Sequence, residues 1–218
     1  MTSIKKKFLK KALMSVAAYG LLAGQVSAAP IFFSDRASFD AAAGALNFES
    51  FEDSWVGGSA SVSFDGFTLN ETGGSNQIHH ASDFLSGIGA SITDGSDAAF
   101  YQDNGASTGN FFSFANPVTA FGLDITANFT TTMGISGSVS DSLALSTNIS
   151  AFWGVIDLAG LTTLSFDASG GHGSGPNSWD GVGFDSVSYG MASVPEPNTA
   201  LLFGAGFLMF GMMGRKRK

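Results

Sequence analysis

Between residues 47 and 190 the apolar side chains come in short runs with a period of two, separated by clusters of glycine, asparagine, aspartate and serine. Successive side chains of a strand point to opposite faces, so such a run buries one face and wets the other. Of the chain's 29 glycines, 22 lie in this stretch and with the many small polar residues supply turns, and 14 of the 21 phenylalanines lie in it and supply large apolar area for one face of the strands. The runs are Asn47 to Phe51, Val62 to Asp65 leading into Gly66 to Leu69, Ile88 to Ile92, Ala98 to Tyr101, Ile135 to Val139, Leu143 to Ile149 and Val182 to Tyr189. Thr72 to Asn76 reads as a turn and Gly170 to Gly175 as a loop. Phe111 to Phe114 and Val118 to Thr126, split by Asn116-Pro117, predict a hairpin. Phe152 to Ile156 and Leu161 to Phe166 predict two strands around a turn at Asp157 to Gly160. Only Ser34 to Leu46 has helical character, with Ser34 as cap and Gly44 as stop. This rhythm predicts an all-β fold: an antiparallel β-sandwich, jelly-roll-like, of roughly ten to twelve strands with one short N-terminal helix.

The two ends break the rhythm. Lys5, Lys6, Lys7, Lys10 and Lys11 precede an apolar run from Ala12 to Gly24, and Val26-Ser27-Ala28 follows. Basic head, apolar centre and small residues form a secretory signal peptide, too short for a membrane span of ~20 residues. Cleavage is expected after Ala28, or else after Ala29, by signal peptidase. At the other end, Val194-Pro195-Glu196-Pro197 opens a tail. The stretch 199–214 is uncharged, and Arg215-Lys216-Arg217-Lys218 closes it. An apolar stretch held by a basic cluster on the cytoplasmic side predicts a transmembrane helix over 199–214. Two prolines keep the chain before it extended. The division is therefore a signal peptide over 1–28, a body over 29–193 and a tail over 194–218.

The order Val-Pro-Glu-Pro, apolar span, basic end resembles the PEP-CTERM sorting signal of Gram-negative bacteria. The resemblance implies processing near Pro195, Glu196 and Pro197 by the membrane enzyme exosortase, after a transient stay in the inner membrane. It implies delivery to the cell envelope, outer surface or extracellular matrix, in a setting of exopolysaccharide and biofilm. Residues 114–124 and 179–190 also resemble the bodies of other PEP-CTERM proteins, which look like carbohydrate-binding sandwiches.

Charge narrows the body's partners. Of the chain's 10 cations only Arg36 lies in the body, against 17 of the 18 acidic residues, for a formal charge of −16 there. Such a surface repels nucleic acid and offers no basic cluster for phosphate. The chain has no cysteine, which excludes disulfides, thiol catalysis and cysteine metal sites.

Several residues are candidates for chemistry. Asp180, beside the last strand, is where a structural Ca2+ would rest; the alternative is that it caps a turn with Gly181. Asp94, Asp97 and Asp103 form a second acidic patch without the ligand order of a calcium-binding EF-hand loop. Trp55 and Trp179 lie in loops where they could stack on sugar rings, whereas Trp153, flanked by Phe152 and Val155, reads as core. His79 and His80 are adjacent, so on a strand they face opposite ways and cannot readily share a metal. His172, Ser174 and Asp180 do not amount to a triad without geometry. Asn70, Asn128 and Asn148 open acceptor patterns for glycosylation that carry little weight in a bacterial chain. No lipase-type, zinc-protease or P-loop motif is present. The reading is a non-enzymatic exported surface protein, structural or adhesive, that binds exopolysaccharide. A glycan-active hydrolase using paired carboxylates and an inert matrix component are the alternatives.

Overall fold

Two long strands organise the molecule. The computed structural model describes residues 28–53, 57–71, 78–80, 93–103, 110–169 and 180–193. The predicted signal peptide before Ala28, the tail 194–218 with its span, the strand at Ile88 to Ile92, the turn at Thr72 to Asn76 and the loop at Gly170 to Gly175 lie outside the described residues. In chain order the elements are β1 (Ile31–Phe33), α1 (Arg36–Ala43), β2 (Asn47–Glu49), β3 (Ser61–Ser63), β4 (Phe67–Glu71), β5 (Ile78–His80), β6 (Ala99–Asp103), β7 (Asn110–Ala127), β8 (Thr131–Gly137), β9 (Asp141–Leu145), β10 (Ala151–Ser169) and β11 (Asp180–Gly190). All strand pairings among them are antiparallel. Among the described residues no helix is long and apolar enough to cross a membrane.

The predicted hairpin at Asn116-Pro117 and the predicted turn at Asp157 to Gly160 are both corrected: β7 runs unbroken through the first and β10 through the second. The two interruptions lie side by side, because the β7–β10 register shifts between Ile156 and Leu161 and again before Thr163. Pro117 has no N–H to give a ladder, so it is tolerated where the pairing is already irregular. On either side of this point the strands have different neighbours. Residues 118–127 of β7 lie between β11 and the first half of β10, which also pairs β1. Residues 110–114 lie between β4 and the second half of β10, which also pairs β8. The long strands thus pass from one layer into the other. The first layer holds β5, β6, β11, β7, β10 and β1, with β2 beside β11; the second holds β3, β4, β7, β10, β8 and β9.

The inner faces pack through phenylalanine. Phe112 of the second layer lies 5.0 Å from Phe121 and 5.4 Å from Phe184 of the first, ring centroid to centroid. Phe166 lies 5.6 Å from both Trp153 and Phe184. Trp153 is core, as its apolar neighbours predict, and its Nε1–H donates to Asp141 Oδ2 at 2.8 Å. The antiparallel sandwich expected from the sequence is the observed fold. The strands β1 and β5 went unread, the first for its shortness and the second because two of its three residues are histidine.

The helix is shorter than predicted and is capped by Asp35 rather than Ser34. Asp35 Oδ1 accepts from the Ser38 N–H at 3.1 Å, and hydrogen bonds from the Ser38 hydroxyl first and its N–H second hold the Asp35 carboxyl below the ordinary aspartate range. Phe39 and Ala43 are fully buried on the outer face of the first layer, against Ala120, Phe152 and Ile156. The floor beneath is glycine: a Cβ on Gly122 or Gly154 would stand 2.8–2.9 Å from the rings of Phe39 and Phe152.

The end of α1 also fixes the exit of the chain. The Ser193 N–H donates to Ala43 O at 2.8 Å, and the Ala192 N–H to Thr119 Oγ1 at 2.7 Å. Gly44 has φ +78°, and a Cβ there would lie 2.0 Å from Ser193 Oγ. Gly44→Ala therefore combines a strained backbone with a clash, and it should cost about 1–3 kcal/mol and release Ser193. Thermal unfolding and amide exchange at Ser193 measure both effects.

Candidate functional site

The body's one cation sits where the helix meets the sheet. The first turn of α1 projects Arg36 across the outer face, its guanidinium 4.7 Å from the centre of the Phe152 ring. Nη2 donates to Ser186 O at 2.7 Å and approaches Asp124 Oδ2 at 3.2 Å; Nη1 donates to Ser188 Oγ at 3.2 Å.

A β-bulge builds the receiving surface. Asp185 pairs with Asp124, but Ser188 pairs with Gly122, so β11 has one extra residue here. Ser186 takes φ +51°. Its carbonyl meets Arg36 and its N–H donates to Asp185 Oδ1 at 2.6 Å.

Asp124 and Asp185 thus stand opposite each other, and their environments differ. Asp124 has the Arg36 charge beside it. Asp185 is only 3% exposed. Its Oδ2 accepts from the Thr93 N–H at 2.7 Å and the Asp94 N–H at 2.9 Å. Thr93 Oγ1 is 2.9 Å from a carboxylate oxygen of each aspartate and 3.1 Å from Ser186 Oγ. Burial pushes the Asp185 carboxyl above the ordinary 3.8, opposed by the N–H bonds from Asp94, Thr93 and Ser186. The folded state therefore holds the proton of Asp185 more tightly than the unfolded chain. The stabilisation is complete below 3.8 and is lost as pH rises through the raised value. Asp185→Asn keeps a neutral side chain throughout. Its stability relative to wild type should rise across that window, read from unfolding midpoints between about pH 3 and 7.

The loop that carries Thr93 is held at a second point. Glu52 accepts from the Asp97 N–H at 2.6 Å and the Ser96 N–H at 2.7 Å, which lowers its carboxyl pKa. His80 Nδ1 meets Asp97 Oδ2. Consecutive on β5, His79 and His80 face opposite sides as expected, and His79 pairs in register with Phe100.

One aromatic residue borders the Arg36 cluster in the open. Phe48 of β2 is directly opposite Ser188 and so shares its face, and it is 55% exposed. The outer face therefore presents an exposed ring and, beyond the buried Ser188, a guanidinium and a carboxylate. Sequence reasoning did not select this group. The signal it contained was Arg36 itself, a lone cation that 17 acids would compete to pair.

The predicted sites fare unevenly. Trp55 and Trp179 lie outside the described residues, as do His172 and Ser174. Asp180 opens β11 in register with Asp103. Among the described residues no group of three or more histidine, cysteine, aspartate or glutamate side chains could hold a metal ion. Ala28, the predicted cleavage position, is exposed.

Fold and exit together define a class: a β-sandwich whose final strand passes within three residues into a sorting tail. The family profile for the PEP-CTERM protein-sorting motif matches residues 193–218, so the chain carries that motif and is an exported protein that is held in a membrane before it reaches the surface. No curated protein matches the chain. Solved structures similar to it include the K2 cleaved adhesin domain of Lys-gingipain, at 13% identity and TM-score 0.45, covering 67% of this chain and 100% of that one. A point variant of the family 29 carbohydrate-binding module CBM29-2 matches at 10% identity and TM-score 0.34, covering 70% and 100%. TmCBM61, solved with β-1,4-galactotriose, matches at 10% identity and TM-score 0.29, covering 56% and 86%.

Proposed function

We propose that the body is a non-catalytic adhesive domain that binds exopolysaccharide on its outer face at Phe48, Arg36 and Asp124. The observation that carries this reading is the exposed Phe48 ring beside the Arg36–Asp124 pair. A pyranose lays its C–H face on an aromatic ring, and its vicinal hydroxyls suit a planar donor fork beside a carboxylate acceptor. Among the described residues Arg36 makes two hydrogen bonds and one ion pair, all through Nη1 and Nη2, and its Nε–H is not among those donors. The body's charge of −16 favours a polymer poor in acidic sugars. Hydrolysis by the Asp124–Asp185 pair is disfavoured, because Asp185 is too buried to reach a glycosidic oxygen. Signal peptidase and exosortase act on the chain as partners in its export. A Ca2+ at Asp180 belongs to the same proposal as a structural support for the start of β11.

The test titrates the mature exported protein with exopolysaccharide from the producing cells, with and without Ca2+, and assays reducing ends in parallel. Saturable binding without new reducing ends is the expected result, and Phe48→Ala should weaken it roughly 10-fold, the equivalent of about 1–1.5 kcal/mol for a lost stacking contact. Release of reducing ends would replace the reading with a hydrolase. No saturable binding in either condition would leave an inert matrix component.

A further inference from the structure

Both ends of the body meet at one end of the first layer. Ile31 pairs with Ile156, Ile156 with Ala120, and Ala120 with Gly190, one row across β1, β10, β7 and β11. From this row β1 runs inward, so the chain enters the body here, while β11 runs outward to Ser193. The residues beyond each point are the apolar run at 12–24 and the apolar stretch at 199–214.

The same end carries exposed apolar side chains. Ile31 is 56% exposed, Leu158 48% and Met191 66%. Four strands at ~4.8 Å spacing put Ile31 and Gly190 about 15 Å apart, so the three residues form a rim across that end. Pro117 is exposed nearby, against Gly160.

The exit is short and pinned. Ser193 and Ala192 are bonded to Ala43 and Thr119, so the chain leaves at a fixed point. Five residues, Val194 to Asn198, separate Ser193 from the apolar stretch. Fully extended they reach ~17 Å, and a headgroup layer takes up roughly 5–8 Å of that.

We infer that this end is a membrane-docking face: while the tail is embedded, Ile31, Leu158 and Met191 rest in the interfacial layer of the leaflet from which the tail emerges. The occupant is a lipid surface, because the apolar tail follows Met191 at the β11 end of the rim, and even a fully extended tether leaves this end of the body within about 9–12 Å of the headgroups. The acidic body favours zwitterionic over anionic lipid. The inference rests on the membrane-held precursor and is independent of what the outer face binds.

The test uses the full uncleaved chain in phosphatidylcholine vesicles. The chain has no cysteine, so single substitutions Ile31→Cys, Leu158→Cys and Met191→Cys each accept one environment-sensitive fluorophore. Ile149→Cys is the control: Ile149 is 60% exposed and follows Asn148, whose N–H donates to Ala127 O at the opposite end of the layer. Flotation with the vesicles reports embedding, and a lipid-borne nitroxide at headgroup depth reports docking. The expected result is a floating chain quenched at least 3-fold more at all three rim positions than at Ile149→Cys. A floating chain with equal quenching at both ends, or none at the rim, overturns the docking face and leaves the anchored precursor intact. A chain that does not float overturns both.

Discussion

Phe112→Ala is expected to cost the body about 3–5 kcal/mol, measured as a drop in the urea midpoint at unchanged slope. Phe112 is fully buried, and its ring lies 5.5 Å from Phe67, 5.0 Å from Phe121, 5.6 Å from Phe166 and 5.4 Å from Phe184. Those four rings come from β4, β7, β10 and β11, so removing one side chain empties the place where both layers meet. Total stability of a domain is typically about 5–15 kcal/mol, and this chain has no disulfide to limit its unfolded state. Leu143→Ala, at a half-buried position packed on the same core, should cost about 2 kcal/mol or less. Equal costs at the two positions would mean that the layers do not share one core.

Arg36→Ala is expected to reduce exopolysaccharide affinity roughly 10- to 100-fold, in line with about 1.5–3 kcal/mol for hydrogen bonds from a charged donor. Besides the donors offered to the ligand, the substitution removes the only cation beside Asp124, whose strand partner is Asp185. Arg36→Lys separates the two effects. An ammonium keeps the charge but not the planar fork, so stability should largely return while affinity stays several-fold low. Full affinity with lysine would show that charge alone matters and that the fork reads no hydroxyl pair. Calorimetric titration with the same polymer distinguishes these results.

The sequence made the strands, the short helix and the tail legible because each rests on local signals: alternation, capping side chains, an uncharged run before a basic end. The errors at Pro117 and at Asp157 to Gly160 have one cause. A residue that cannot join a ladder looks the same whether the chain turns back or its partner is irregular at the same height, and only the pairing of β7 with β10 decides. Phe48 falls in the period-two run Asn47 to Phe51, and its exposure follows from its place on β2, which pairs β11 alone among the described strands. The Arg36 cluster joins residues up to 152 positions apart, so no local pattern announces it. Asp185 is an ordinary position within the run Val182 to Tyr189, because its burial depends on Thr93 and Asp94, whose N–H groups donate to it from a distant part of the chain.

The placement of β11 has a mechanical consequence. This strand leads to the tail, and it is hydrogen-bonded on both edges, to β7 on one side and to β6 and β2 on the other. A tug on the anchor acts along β11, so its rungs on both edges are loaded together in shear and none can be unzipped singly. A surface protein pulled by flow or by a neighbouring cell would then fail at high force, at a rate set by its unfolding barrier and not by its equilibrium stability.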